Sequence, residues 1–166
     1  MTFTPAEYVG MLALVLNFIA YRQPTANRYR IISALALGSL SIHFALIDAT
    51  AGAVVTGLAF FRNFIALRWQ GPFVLWFFIA ANVVLWILEA VSGAPQLPLV
   101  FAYVSSLIFS IGSIRLNDPV LIRRWFILAE LLGLGYAFMV GSLEGMVFNL
   151  VNLSSIILKM LQDRRV

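Results

Sequence analysis

Residues Gly52 to Arg68 read G-A-V-V-T-G-L-A-F-F-R-N-F-I-A-L-R. The run is apolar and of membrane-crossing length as a helix, with an Arg-Asn pair in its second half. Wound as a helix, Gly52, Thr56, Ala59 and Asn63 share one face. A second stretch 93 residues later, Gly145 to Leu161, reads G-M-V-F-N-L-V-N-L-S-S-I-I-L-K-M-L. There the matching positions are Gly145, Asn149, Asn152 and Ile156. A small-to-polar stripe recurring at fixed distance predicts two copies of one unit facing a shared interior.

Composition names the solvent. The chain of 166 residues is 62% hydrophobic, with a mean hydropathy of +0.97. A soluble domain is about one quarter charged, and this chain is 11% charged, a balance that lipid tolerates. There is no Cys, which excludes a disulfide framework and a thiolate metal site. The single His has no carboxylates at ligand spacing, so no metal and no cofactor is expected. The net charge of +4 does not point to nucleic acid. The basic residues sit at the ends of apolar segments, which is an orientation pattern. The start, M-T-F-T-P-A-E-Y, lacks a basic n-region, so the first apolar stretch is expected to be retained as a helix.

Seven spans are predicted, at about 5–21, 31–47, 52–68, 73–91, 97–114, 120–140 and 145–161. Helices are the default in lipid, because the bilayer offers backbone groups no partner. A barrel would alternate in polarity, and these runs are apolar on both faces. Breaks fall at 22–27, 48–51, 70–72, 92–96, 117–119 and 141–144. The first, third and fifth connections and the C-terminal end hold Arg22, Arg28, Arg30, Arg68, Arg115, Arg123, Arg124, Lys159, Arg164 and Arg165, ten of the eleven Lys and Arg. The other side holds Glu7, Asp48, Glu89 and Glu144. Positive charge stays cytoplasmic, so the N-terminus is expected outside and the C-terminus inside.

Shifting the chain by 93 brings Arg22 onto Arg115, Arg30 onto Arg123, Gly52 onto Gly145 and His43 onto Tyr136. The register of breaks and charges carries this match, since residue identity is poor. The expected organisation is a three-helix repeat at 1–71, a linker helix at 72–93 and a second repeat at 94–166. Two triplets around one linker helix must run parallel, as in the SWEET sugar carriers.

Several pieces together carry a family resemblance. They are His43-Phe44 with Gly52 after it, the run Arg62 to Arg68, and Gly141-Ser-Leu-Glu-Gly145 followed by Asn152 and Ile156-Ile157. With these the chain resembles the YgjV family of bacterial inner-membrane proteins, and more distantly SWEET and PQ-loop carriers. The resemblance implies an inner-membrane protein of unestablished activity. Ala59 departs from it: relatives can carry Asn there, matching Asn152, so a symmetric Asn pair cannot form. Pro95-Gln96 is a PQ dipeptide in a loop, and the mid-helix prolines of those carriers are missing.

Arg62 and Glu130 are the sharpest pair. Each lies six residues from a basic end, Arg68 and Arg124, or roughly 9 Å deep at the helical rise. A charge so placed costs roughly 2–3 kcal/mol or more. The pair could gate, a carboxylate could titrate during transport, or a static bridge could clamp two helices. Asn149 and Asn152, with Thr56 and Asn63, either line a solute site or knit helices together. Ala13-Asn17-Ala20 and Ser106-Ser110-Ser113 form a second pair of stripes, read as packing. His43 is either an outer pH sensor, because His titrates near neutral pH, or an interfacial side chain with a satisfied ring. No paired carboxylates, hydrolase triad or phosphate loop occurs, so no enzyme is expected. The expected fold is an all-α integral membrane protein of seven helices. Its expected role is a carrier or facilitator of small polar solutes; the alternative is a non-transporting subunit or receptor. Lipid is the expected partner, and homo-oligomerisation stays open.

Overall fold

The computed structural model describes residues 3–20, 23, 26–69, 71–116 and 119–163. Arg22, Arg164 and Arg165, which enter the orientation argument, lie outside the described residues, as do the side chains of Arg123 and Lys159. Among the described residues there are seven helices: α1 Pro5–Ala20, α2 Ala26–Leu46, α3 Thr50–Ile65, α4 Pro72–Val91, α5 Gln96–Arg115, α6 Pro119–Met139 and α7 Leu143–Asp163. No strand occurs among the described residues. Pro72 and Pro119 each open a helix, where their missing N–H costs nothing.

All seven predicted spans are helices, and the bounds shift for physical reasons. The α2 helix begins at Ala26, five residues before the apolar run at Ile31, because a helix continues through its polar first turn. The α3 helix stops at Ile65 instead of Arg68. Leu67 N–H and Arg68 N–H bond three residues back, to Phe64 and Ile65, so the last turn tightens and ends. Among the described residues, two helices, Pro72–Val91 and Gln96–Arg115, are long and apolar enough on their own to cross a membrane; Pro5–Ala20, Thr50–Ile65 and parts of α2 and α7 are apolar but shorter.

Successive helices run up and down, so the chain has two ends. One carries Glu7, Asp48, Glu89 and Glu144 at helix ends and turns; the other carries Arg28, Arg30, Arg68, Arg115 and Arg124. These are called the acidic and basic ends below. Within each triplet, α2 packs on α1 and α3, and α6 packs on α5 and α7. The triplets meet through α3 against α5 and α1 against α7, while α4 lies on α5 and α3.

The interior is more polar than the outside. Phe73, Trp76, Leu88, Val91 and Phe138 are exposed, whereas Asn17, Asn82, Ser110, Glu130, Asn149 and Asn152 are buried. A soluble protein does not surround itself with so much exposed apolar surface. In lipid, that surface faces chains as apolar as itself, and polar groups seek each other within. Trp69, Trp76 and Trp125 stand exposed near helix ends, as interface anchors do. Trp86 instead stacks on Tyr103 in the α4–α5 contact, ring centroids 6.0 Å apart.

Candidate functional site

A cavity of about 410 Å³ occupies the middle of the bundle. Helices α1, α2, α3, α5, α6 and α7 line it, and α4 contributes no lining residue. Helical spacing builds each wall. From α2 come Ser33, Leu37, Leu40 and Phe44; from α3 come Gly52, Thr56, Ala59 and Asn63; from α7 come Phe148, Asn149 and Asn152. Arg62 and Glu130 line it too. His43 does not, although its neighbour Phe44 does.

Toward the acidic end the cavity is capped. The Tyr136 hydroxyl donates to Ala49 O at 3.1 Å and accepts from Gly52 N–H at 2.6 Å. The Tyr136 ring meets Phe44 edge-on, with centroids 5.5 Å apart. Glycine at 52 makes this possible, since a Cβ there would lie 2.9 Å from Phe44 Cγ and closer still to the Tyr136 ring. Beside this tie sits His43, 2% exposed. Its Nδ1 is 2.9 Å from Ala6 O and its Nε2 is 2.8 Å from Ser142 Oγ. A carbonyl only accepts, so Nδ1 donates to Ala6 O, and Nε2 shares a hydrogen bond with the Ser142 hydroxyl. Ser142 Oγ in turn accepts from Gly145 N–H at 2.9 Å, capping α7. Glu144 stands 3.7 Å from Nε2. Gly10 leaves room for this group, since a Cβ there would be 2.6 Å from Glu144 Cγ. His43 is thus a buried, fully bonded tie rather than a surface side chain.

Toward the basic end the lining continues to Arg30, Phe126 and Ser113, the last exposed. Between cap and basic end lie the polar groups. Asn17 Nδ2 donates to Asn152 Oδ1, and Asn152 Nδ2 donates to Glu130 Oε1, both at 2.8 Å. One amide thus joins α1, α7 and α6. Arg62 Nη1 donates to Ser110 Oγ at 3.0 Å, joining α3 to α5. Asn63 reaches Ser33 at 3.3 Å. Thr56 and Asn149 bond backward, to Gly52 O and Gly145 O of their own helices, at 2.6 and 2.7 Å.

All six polar residues singled out at the heart of the sequence therefore meet at one cavity. Asn152 spends both ends of its amide on neighbouring helices, whereas Thr56 and Asn149 bond only along their own helices. Arg62 and Glu130 hold hydrogen bonds to different partners, Ser110 and Asn152, on different walls. One participant, Ser142, and one tie outside the cavity, Tyr103, were missed in the sequence. Ser142 was legible as an N-cap, a Ser just before the helix whose hydroxyl can take an early N–H. Tyr103, whose hydroxyl donates to Glu89 at 2.7 Å, gave no local signal, because its partner comes from another helix.

Among known proteins, the model of a family described as bacterial inner membrane protein, Imp-YgjV, matches residues 4–165. No curated protein matches, and no solved structure matches.

Proposed function

We propose that this chain, which belongs to the YgjV family of bacterial inner membrane proteins, is a carrier or facilitator of small polar solutes that bind in the central cavity. The observation behind this reading is the cavity itself: about 410 Å³, lined by Asn, Thr and Ser among apolar residues, capped toward one end and lined as far as the other. Polar lining inside lipid is costly unless it serves packing or a ligand. Thr56 and Asn149 donate to their own backbone, so among the described residues neither ties its helix to another by a side-chain hydrogen bond.

The mechanism in this reading is alternating access by two repeats. Several paired features at offset 93 support the repeat. Asp48 and Gly141 both have positive φ, 58° and 70°. Ala49 N–H bonds Phe44 O, and Ser142 N–H bonds Ala137 O. The α3–α5 contact becomes the α7–α1 contact under the same shift. The cap follows it as well: His43 of one triplet reaches Ser142 of the other, and Tyr136 reaches back to Ala49. Rocking would break these ties and close the basic end. With basic residues cytoplasmic, this conformation faces inward, with the N-terminus outside.

The test is solute-driven swelling of proteoliposomes, followed by light scattering across a panel of polar solutes. The expected result is permeation of one solute class above protein-free vesicles, lost in Ala59→Phe, which fills the cavity from α3. The second reading, a non-transporting subunit or receptor, rests on the Asn17–Asn152–Glu130 chain, where polar groups join helices. No permeation by any solute, with Ala59→Phe folded and indistinguishable from the parent, would favour it and sink the carrier.

A further inference from the structure

Resting on the solute-site reading above, we infer that the cavity takes an uncharged solute bearing an NH2 group of the primary amide or urea type. The destination of the lining protons points this way. A backbone carbonyl only accepts, so a side chain bonded to one has given it a proton. The Thr56 hydroxyl donates to Gly52 O at 2.6 Å, Ser105 to Ala129 O at 2.8 Å and Ser113 to Ser110 O at 3.3 Å. A hydroxyl has one proton. These three groups, all lining the cavity, therefore meet a solute with lone pairs alone. Asn149 donates one N–H to Gly145 O at 2.7 Å, and its amide keeps a second N–H beside Oδ1.

Thr56 and Asn149 are equivalent at offset 93. Their bonding is equivalent too: each donates to a glycine carbonyl four residues back, and those glycines, 52 and 145, are themselves a matched pair. The α3 and α7 helices thus bring the same kind of acceptor to one cavity from two walls. Gly133 of α6 gives Asn149 Oδ1 its room, since a Cβ there would collide with that oxygen. A solute facing these groups has to bring donors. A hydroxyl brings one proton and two lone pairs, and a carboxylate brings lone pairs only. An alkylammonium brings three protons, together with net charge in the membrane interior. The nitrogen of an amide or urea brings two protons and no charge, and its own lone pair is drawn into the carbonyl by resonance. The solute carbonyl then matches the N–H that Asn149 keeps. Arg62 and Glu130 line the cavity as well and are tied to its walls through Ser110 and Asn152.

The experiment is thermal unfolding of the full chain in detergent, run on the parent and on Ala59→Phe, whose filled cavity reports effects outside the site. The probes are of one size: propionamide, propylurea, propionate, propylammonium, 1,2-propanediol and N,N-dimethylpropionamide, which has no N–H. The expected result is an upward shift of about 5 °C at saturating propionamide or propylurea, absent in Ala59→Phe. N,N-dimethylpropionamide should bind on the order of tenfold more weakly than propionamide. Thr56→Val keeps the shape and removes the lone pairs, and should weaken propionamide by roughly threefold to tenfold; Thr56→Ser should restore it. If Thr56→Val does not fold, the dimethyl comparison on the parent decides the matter. A dimethyl form that binds as well as propionamide overturns the proposal. Should propionate, propylammonium or the diol shift the parent and not Ala59→Phe, while propionamide and propylurea do nothing, the amide class is overturned and the solute site stands. If no probe shifts the transition, both readings fall.

Discussion

Asn149 and Asn152 lie nearly one turn apart on α7, and the structure separates their work. Asn152 joins three helices through two buried side-chain bonds. Asn149 returns its amide to Gly145 O of its own helix. Removing Asn152 leaves both Asn17 and Glu130 short of a partner. Asn152→Ala is therefore expected to lower stability by about 1–2 kcal/mol, read as the loss in detergent or urea unfolding. Asn149→Ala should stay within about 0.5 kcal/mol of the parent while weakening any solute bound in the cavity. Equal losses in the two variants would show that both amides are packing. From sequence the two residues look alike, because helical periodicity places both on one face and says nothing about which partner each finds.

At the scale of elements, the turns and close approaches between helices carry the detail. Asp48 adopts φ 58° in the α2–α3 turn and Gly141 φ 70° in the α6–α7 turn. A Cβ at Gly141 meets nothing within 4 Å, so Gly141→Ala tests backbone conformation alone and should cost about 1 kcal/mol. Asp48→Gly relieves the same strain in the other turn and should be neutral or stabilising by up to about 1 kcal/mol. Opposite signs in one unfolding series would bear this out. Gly52 and Gly145 act through packing instead. A Cβ on Gly145 would come within 2.9 Å of Phe44 Cζ and 3.0 Å of Ala137 Cβ. Gly52→Ala and Gly145→Ala should each cost about 1–3 kcal/mol, and Gly52→Ala should also loosen the cap by displacing Tyr136. Helix number and order were legible here, because every break is marked by Pro, Gly or charge. Helix ends were less so: α3 tightens off at Ile65, three residues before the apolar run ends, since backbone bonding rather than hydropathy terminates a helix.

At the scale of the whole molecule, the separation of charge between the two ends makes a prediction about orientation. The chain has no Cys, so single cysteines report cleanly. Ser92→Cys, exposed at the acidic end, should react with an impermeant maleimide on spheroplasts. Trp69→Cys, 64% exposed at the basic end, should react only after the membrane is opened. The reverse pattern would invert the orientation and make this conformation face outward.

Taken by itself, the sequence determined the solvent, the helical class and the order of the seven helices. Those properties follow from local quantities: apolar run length, backbone bonding that must be satisfied within each segment, and breaks marked by Pro, Gly and charge. It also brought forward Thr56 and Asn63 on one helix, and Asn149 and Asn152 on another, as two inward stripes, because helical spacing is a local property. Only the tertiary structure decided what those residues do. That Asn152 binds Asn17 and Glu130, that Arg62 binds Ser110, and that His43 lies sealed between Ala6 and Ser142 depend on partners 22 to 135 residues away. A hydrogen bond is made over about 3 Å, and which groups come that close is settled by how helices pack, information no single helix contains.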